Sequence, residues 1–498
     1  MFLGRTSELN YLNAFYDSEG SQLLVVYGQK NIGKTSLLKE FVKGKPYHYY
    51  CARSASEREQ TYEWGKELTD HTGDLPEYPP YAEIFRKISG DESGKTVMIV
   101  DEFQHAVKSG NAFMKDLVSF VQGSEKHGEI LVVLSSSSTG WVENSMVMKI
   151  GESAYALSGF LKIKELPFEE MRHFFPKFSA EQCVEAYAVL GGFPGLWTQF
   201  DDSLSMKENI CRFVLNPHTY LQEEGLRTVA EELRETAVYH TILSSIAAGR
   251  HKLNDLYRHT GFSRAKISVY LKNLMELELV EKVFSFDTEG KANSQKGIYR
   301  ISNHFVHFYF RFLYPNRSAL ALMSADEFYE KNIQFSFKNF AALYFNEICK
   351  QRIEKWNQEE KLPIVIDRIG EWVGKSGNID VVAQDENGNE IIEEETLEAD
   401  ISPDENNSSY HYTINGENII DDIQDIQIEV SYEKTLTRTV EITTNGGNVS
   451  VNDKESDQAS VEIAPESRSI KLKPQDGYAI VSYRITCNNG NQRTLINP

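Results

Sequence analysis

The chain has 498 residues, enough for about three or four domains at ~100–200 residues each. Hydrophobic residues make up 41% and charged residues 25%, a globular composition with material for several cores. With 52 Lys+Arg against 73 Asp+Glu the net charge is −21, which excludes holding nucleic acid or an anionic membrane by overall charge; DNA contact needs a local basic patch, and a phosphate-bearing ligand needs a dedicated site.

The N-terminus, MFLGRTSELNYLNAF, lacks the basic and apolar regions of a signal peptide. No run approaches the ~18 apolar residues of a membrane-spanning helix, so no membrane partner is expected. The five scattered cysteines form no CxxC pair, which argues against a disulfide framework or zinc site. These features lead to the expectation of a cytoplasmic protein.

Between Leu23 and about Glu165, short apolar runs (LLVVY, VMIV, LVVL) alternate with helical stretches. Continuous apolar runs of this kind predict buried strands of a parallel α/β sheet. Residues 1–165 are thus expected to form an α/β core. Residues 166–236 read as a helical lid, punctuated by Gly191-Gly192-Phe193-Pro194-Gly195. Across 237–302, three helices and a hairpin make a winged-helix pattern. Tyr239, Ile242, Leu243 and Ile246 mark the buried face of the first helix; Gly261 ends the second and Ser263 caps the third. Residues 303–390 hold aromatic-rich helices and a short α/β unit. From 391 to 498 an acidic linker leads into alternating strands bounded by NGGN, PESR and KPQDG turns, a small all-β sandwich pattern. More than half of the net negative charge lies in this last segment.

Gly28-Gln29-Lys30-Asn31-Ile32-Gly33-Lys34-Thr35, followed by Ser36, satisfies GxxxxGK[ST] between a strand and a helix. In that context the two glycines let the backbone wrap with its N–H groups inward, Lys34 reaches the β- and γ-phosphates, and the Thr35 hydroxyl ligates Mg²⁺. Val97–Val100 then delivers Asp101 and Glu102 at the carboxyl end of a strand, where ligands of parallel sheets sit. Asp101 is expected to hold Mg²⁺ and Glu102 to activate the attacking water. Ser135–Thr139 closes the third strand; a hydroxyl there either senses the γ-phosphate or simply starts a loop. No NKxD motif for guanine is present, so ATP is the expected nucleotide.

Together these motifs resemble the prokaryotic AAA+-like/STAND ATPases often called the archaeal ATPase family. FLGRTSEL looks like its N-terminal Gly-Arg box, placing Gly4 and Arg5 near the adenine; VYGQKNIGKTSLLKEF, IVDEFQH and LGGFPGLW follow in the family's order, as do winged-helix and post-wing segments, to about Gly388. The resemblance implies an α/β P-loop NTPase core with a parallel sheet, an all-α lid and winged helix, and a partial α/β nuclease-like unit, here followed by an all-β C-terminal tail. Two departures stand out. Tyr155–Phe160 lacks the Gly-Arg pair of many relatives, so no trans-acting arginine is identifiable. Glu347 and Asp380 match two carboxylates of the PD-(D/E)xK pattern, but Asn378 replaces an acid and Ile391–Thr396 carries no lysine, which makes the unit a degenerate nuclease.

Arg264, Lys266 and Lys272 on the recognition helix, with Lys291 and Lys296 on the wing, form a basic surface of the kind that meets DNA. Glu276, Glu278 and Glu281 nearby suit a protein contact instead. The functional expectation is a Mg²⁺-dependent ATPase acting as a regulatory switch on DNA, a protein partner or a second copy of itself. The alternatives are an ATP-binding scaffold with little hydrolysis and an ATP-gated nucleic-acid effector. The tail reads as a partner-binding sandwich or an inert appendage.

Overall fold

The computed structural model describes residues 2–391 except 73–74, 89–94, 124–127, 232, 287–296, 363–364, 374–377 and 386–389, and beyond 391 a set of strands between 438 and 496. It divides into two units, Met1–Thr396 and Leu397–Pro498.

The first unit is built on five strands: β1 (Gln22–Tyr27), β2 (Tyr47–Cys51), β3 (Thr96–Asp101), β4 (Ile130–Ser136) and β5 (Gly159–Lys162), in the order β2-β3-β4-β1-β5. All four pairings are parallel. The middles of the three central strands are continuously apolar because both sheet faces are covered. Leu24, Val26, Val97, Ile99, Leu131 and Val133 enter one core, and Leu23, Val25, Met98, Val100, Val132 and Leu134 the other. Each such fully buried side chain contributes roughly 1.5–3 kcal/mol. The second core is closed by stacked and edge-on aromatics around Trp64, Tyr50, Tyr81, Phe85 and Phe113.

The first core continues without a break through the lid, the winged helix and the long helix Gln334–Gln358. Helix Ala180–Leu190 starts at a capping box, with Ser179 and Gln182 satisfying each other's backbone donors. The winged helix forms as the pattern predicts: helices Thr236–Ala247, Leu253–Thr260 and Arg264–Glu276, then antiparallel β6 (Val280–Val283) and β7 (Ile298–Ile301). Gly261 adopts φ 71° at the helix end and the Ser263 side chain accepts from Lys266 N. Lys291 and Lys296 lie outside the described residues.

β8 (Ile366–Val373), β9 (Asn378–Asp385) and β10 (Glu390–Ile391) form an antiparallel sheet. β8 is tied to the wing: Glu371 pairs with both terminal nitrogens of Arg300 at 2.6 and 2.7 Å. In the second unit, strands Arg438–Glu441 and Ser460–Ile463 pair, Gly447–Val451 lies between Lys454–Ser456 and Lys471–Pro474, and Ser482–Thr486 pairs with Gln492–Ile496, all antiparallel. The acidic linker and the rest of 392–437 lie outside the described residues. No described helix is long and apolar enough to cross a membrane.

Candidate nucleotide site

β1 ends at Tyr27 and the chain wraps over Gly28–Gly33 into helix Lys34–Phe41. Gly33 adopts φ 97°, a conformation open to glycine. A Cβ at Gly28 would lie 2.5 Å from the Ile163 carbonyl oxygen, so only glycine fits there. The helix N-terminus supplies unpaired N–H groups and the positive end of the helix dipole, a ready anion site. Lys34 is 6% exposed, and its Nζ donates to the Gly28 and Gln29 carbonyls at 2.8 and 3.0 Å. Burial lowers its pKa, opposed by the charges of Glu102 and Asp101.

β3 brings the two carboxylates to the same end of the sheet. Asp101 Oδ2 accepts from Thr35 Oγ1 at 3.1 Å and from the Tyr49 hydroxyl at 2.7 Å. These two hard, adjacent oxygens would suit Mg²⁺, for which phosphate and water oxygens would supply the other ligands. Glu102, at φ 51°, turns back toward β4, where Ser137 N and Oγ donate to its Oε2 at 3.1 and 2.7 Å. Of the two readings left open for Ser135–Thr139, the hydroxyl of Ser137 is thus engaged with Glu102.

A cavity of about 360 Å³ adjoins these groups. Its lining combines Lys30, Asn31, Gly33, Lys34, Thr35, Ser36 and Glu102 from the P-loop and acid strand with Phe2, Leu3, Arg5, Leu166, Phe174, Pro194, Gly195, Trp197 and Thr198 from the N-terminal segment and the helical region. The apolar lining matches the faces of a planar base, the polar one a phosphate chain. Arg5 lines this cavity and braces the loop, donating to the Ile32 carbonyl and to Glu8 at 2.9 Å each. Gly4 adopts φ 65° against Glu170. Ile32 points into the core, and the Gln29 side chain turns away from the cavity toward the winged helix.

What short motifs do not reveal is how the loop's outer tip is held. Gln29 Nε2 donates to Glu278 Oε2 at 3.1 Å; Lys30 Nζ pairs with Glu231 at 2.7 Å; Asn31 Nδ2 donates to Glu224 Oε1 at 2.8 Å. Tyr220 and the Gly195 N–H also donate to Asn31, to its side chain and its carbonyl respectively, at 2.9 Å each. Glu224 and Tyr220 lie on lid helix Tyr220–Ala230, and Glu231 just after it. Arg227 pairs with Glu224 and Glu231 and lies over the Tyr220 ring. Glu278, at φ 57°, follows the recognition helix and also pairs with Lys162 of β5.

Residues 2–200 match the family described as the ATPase domain predominantly from Archaea. The chain belongs to this archaeal ATPase family. Residues 241–282 match the bacterial regulatory protein arsR family, over the helix–turn–helix, and residues 309–402 a family of archaeal and bacterial proteins of unknown function. An uncharacterized protein of Methanocaldococcus jannaschii is 27% identical over 410 residues, 79% of this chain and 86% of its own length. An uncharacterized ATP-binding protein of the same organism is 36% identical over 45 residues, 9% of this chain and 76% of its own length. Among solved structures, the Walker-type ATPase of Pyrococcus abyssi aligns with TM-score 0.46 and 16% identity, over 62% of this chain and 96% of that one.

Glu347 accepts from the Tyr187 hydroxyl at 2.7 Å and pairs with His304 at 3.1 Å, while Asp380 is exposed on β9. Among the described residues no group of three His, Cys, Asp or Glu side chains is placed to hold a metal ion. On the recognition helix Arg264 is exposed, hydrogen-bonded to Asn254 and stacked on Tyr257; Lys266 lies over Phe262 and Lys272 pairs with Glu276. The helix's other end rests on the core, where a Cβ at Gly140 would meet the Glu276 carbonyl oxygen at 2.8 Å.

Proposed function

We propose that this protein binds and hydrolyses Mg²⁺-ATP and uses the nucleotide to control how the lid and winged helix dock on the core. The observation that carries this reading is the grip on the P-loop tip: Gln29, Lys30 and Asn31 each hold a carboxylate, two of them from the lid and one from the winged helix. A triphosphate bound inside the loop adds negative charge close to these carboxylates, which favours their release.

In this reading Lys34 exchanges its carbonyl partners for β- and γ-phosphate oxygens, and Thr35 and Asp101 hold the metal. Bound Mg²⁺ supplies neutralisation of charge developing on the phosphates. Glu102 accepts a proton from the attacking water. The water oxygen bonds to the γ-phosphorus, the bond to the β–γ bridging oxygen breaks, and ADP leaves with that electron pair as inorganic phosphate forms.

The output surface is the recognition helix, with Arg264 and Lys266 at its start and Lys272 farther along directed to DNA phosphates. Affinity for a DNA duplex as a function of salt tests it. Arg264→Ala with Lys266→Ala is expected to lower affinity and flatten the log–log slope by about two, at ~0.9 per lost phosphate contact. An unchanged slope assigns the surface to a protein partner instead.

A further inference from the structure

The residue following the Glu102-Phe103 pair has chemistry that the P-loop and acid motifs leave unused. Gln104 opens helix Gln104–Ser109 yet is only 2% exposed. Its Nε2 donates to Glu102 Oε2 at 2.5 Å, and its Oε1 is buried with no hydrogen-bond partner. A buried amide carbonyl left unpaired is costly, so this orientation persists because the opposite one would set that carbonyl against the Glu102 carboxylate. Ser137 N and Oγ reach the same Oε2, so three donors from two elements converge on one oxygen. No hydrogen bond to Glu102 Oε1 is present among the described residues, and Glu102 lines the nucleotide cavity. The two elements are stitched beside this point, with Phe103 N donating to the Ser135 carbonyl at 3.0 Å.

We infer that Gln104 is a positioning residue for hydrolysis: with Ser137 it fastens Oε2 of Glu102, leaving Oε1 as the oxygen that accepts the proton of the attacking water. The inference rests on the ATPase reading above. It explains how Glu102 keeps one geometry at φ 51°, a backbone conformation that a non-glycine residue adopts at a cost. Gln104 touches neither nucleotide nor water in this scheme; it acts through Glu102.

The test uses the full chain, with steady-state ATP hydrolysis, equilibrium ATP affinity and thermal melting measured on Gln104→Ala, Gln104→Glu, Ser137→Ala and Glu102→Gln. A positioned general base is worth about 10²–10⁴-fold, so Gln104→Ala is expected to lower kcat at least about tenfold with ATP affinity within about twofold of the parent. Gln104→Glu places a second carboxylate against Glu102; the two then share a proton, and the acid limb of the kcat profile moves up by about one pH unit or more. A merely structural residue would lower ATP affinity or melting temperature together with kcat, whereas a positioning residue lowers kcat with both retained. Ser137→Ala keeps one of its two donors and is expected to lose less than Gln104→Ala, and it serves if the Gln104 variants do not fold. Parent-level kcat in Gln104→Ala, or a pH profile unmoved in Gln104→Glu, overturns the inference while Glu102→Gln is inactive. Full turnover in Glu102→Gln overturns the hydrolysis scheme itself, a separate outcome.

Discussion

Replacing Glu278 with Gln isolates the tie between the winged helix and the phosphate-binding loop. The substitution preserves shape, the left-handed backbone and an acceptor for Gln29, but removes the charge that Lys162 and Gln29 share. A hydrogen bond to a charged group is worth about 1.5–3 kcal/mol when protected, and an exposed ion pair only about 0.2–1 kcal/mol. Glu278 and Lys162 are each about one-third exposed, at 33% and 31%, so solvent screening takes part of both contributions. A net loss of about 1–2 kcal/mol remains, equivalent to roughly a 5–30-fold rise in the undocked population at 1.4 kcal/mol per decade. Amide hydrogen exchange across Arg264–Val283 in the nucleotide-free protein reads this directly. Linkage adds a second readout: if ATP favours the undocked form, the variant binds ATP more tightly, by at most the same factor. Exchange and ATP affinity both unchanged in Glu278→Gln would refute the coupling.

Three further outcomes follow from other contacts. Tyr49→Phe removes the 2.7 Å bond to Asp101 and is expected to raise the Mg²⁺ concentration needed for half-maximal ATPase activity several-fold, with saturating turnover largely retained. Gly195→Val places side-chain carbon where even a Cβ would lie 2.9 Å from the Asn31 backbone; it should weaken ATP binding at least about tenfold, measured by calorimetry. Burial opposes the charge on His304, but the Glu347 carboxylate outweighs it and holds the pKa above the ordinary 6.5. That raised value contributes stability in full below about pH 6.5 and loses it as pH rises through the folded value, so the melting-temperature gap between the parent and His304→Gln should narrow over that interval.

The strand, glycine loop and helix that carry the proposed phosphate site were legible because their signals are local. The GxxxxGK[ST] spacing and the strand-delivered Asp101-Glu102 are short, and Leu23–Val26 and Val97–Val100 are apolar because both faces of the sheet are packed. Gly261 and Ser263 announced the helix ends for the same reason, each acting on its immediate neighbours. The grip on the loop tip was not legible: Gln29 and Glu278 are 249 residues apart, and Lys30 and Glu231 are 201 apart. Nothing in local spacing distinguishes those glutamates from solvated surface charges. The PD-(D/E)xK comparison likewise singled out Glu347 by position, whereas folding pairs it with His304 and Tyr187, residues of two other helices. Gln104 stood in plain view beside the acids, but its role depends on a carboxylate bent back by a left-handed backbone at Glu102, a conformation that no residue type announces.

The most direct measurement is ATP binding and steady-state hydrolysis by the full chain with Mg²⁺, beside Lys34→Ala and Glu102→Gln. The account predicts that the parent binds and turns over ATP, that Lys34→Ala loses both, and that Glu102→Gln binds ATP with turnover reduced about 10²-fold or more. Tight binding by the parent without turnover would contradict the hydrolytic cycle and leave a nucleotide-held scaffold. Parent-level binding in Lys34→Ala would contradict the site itself.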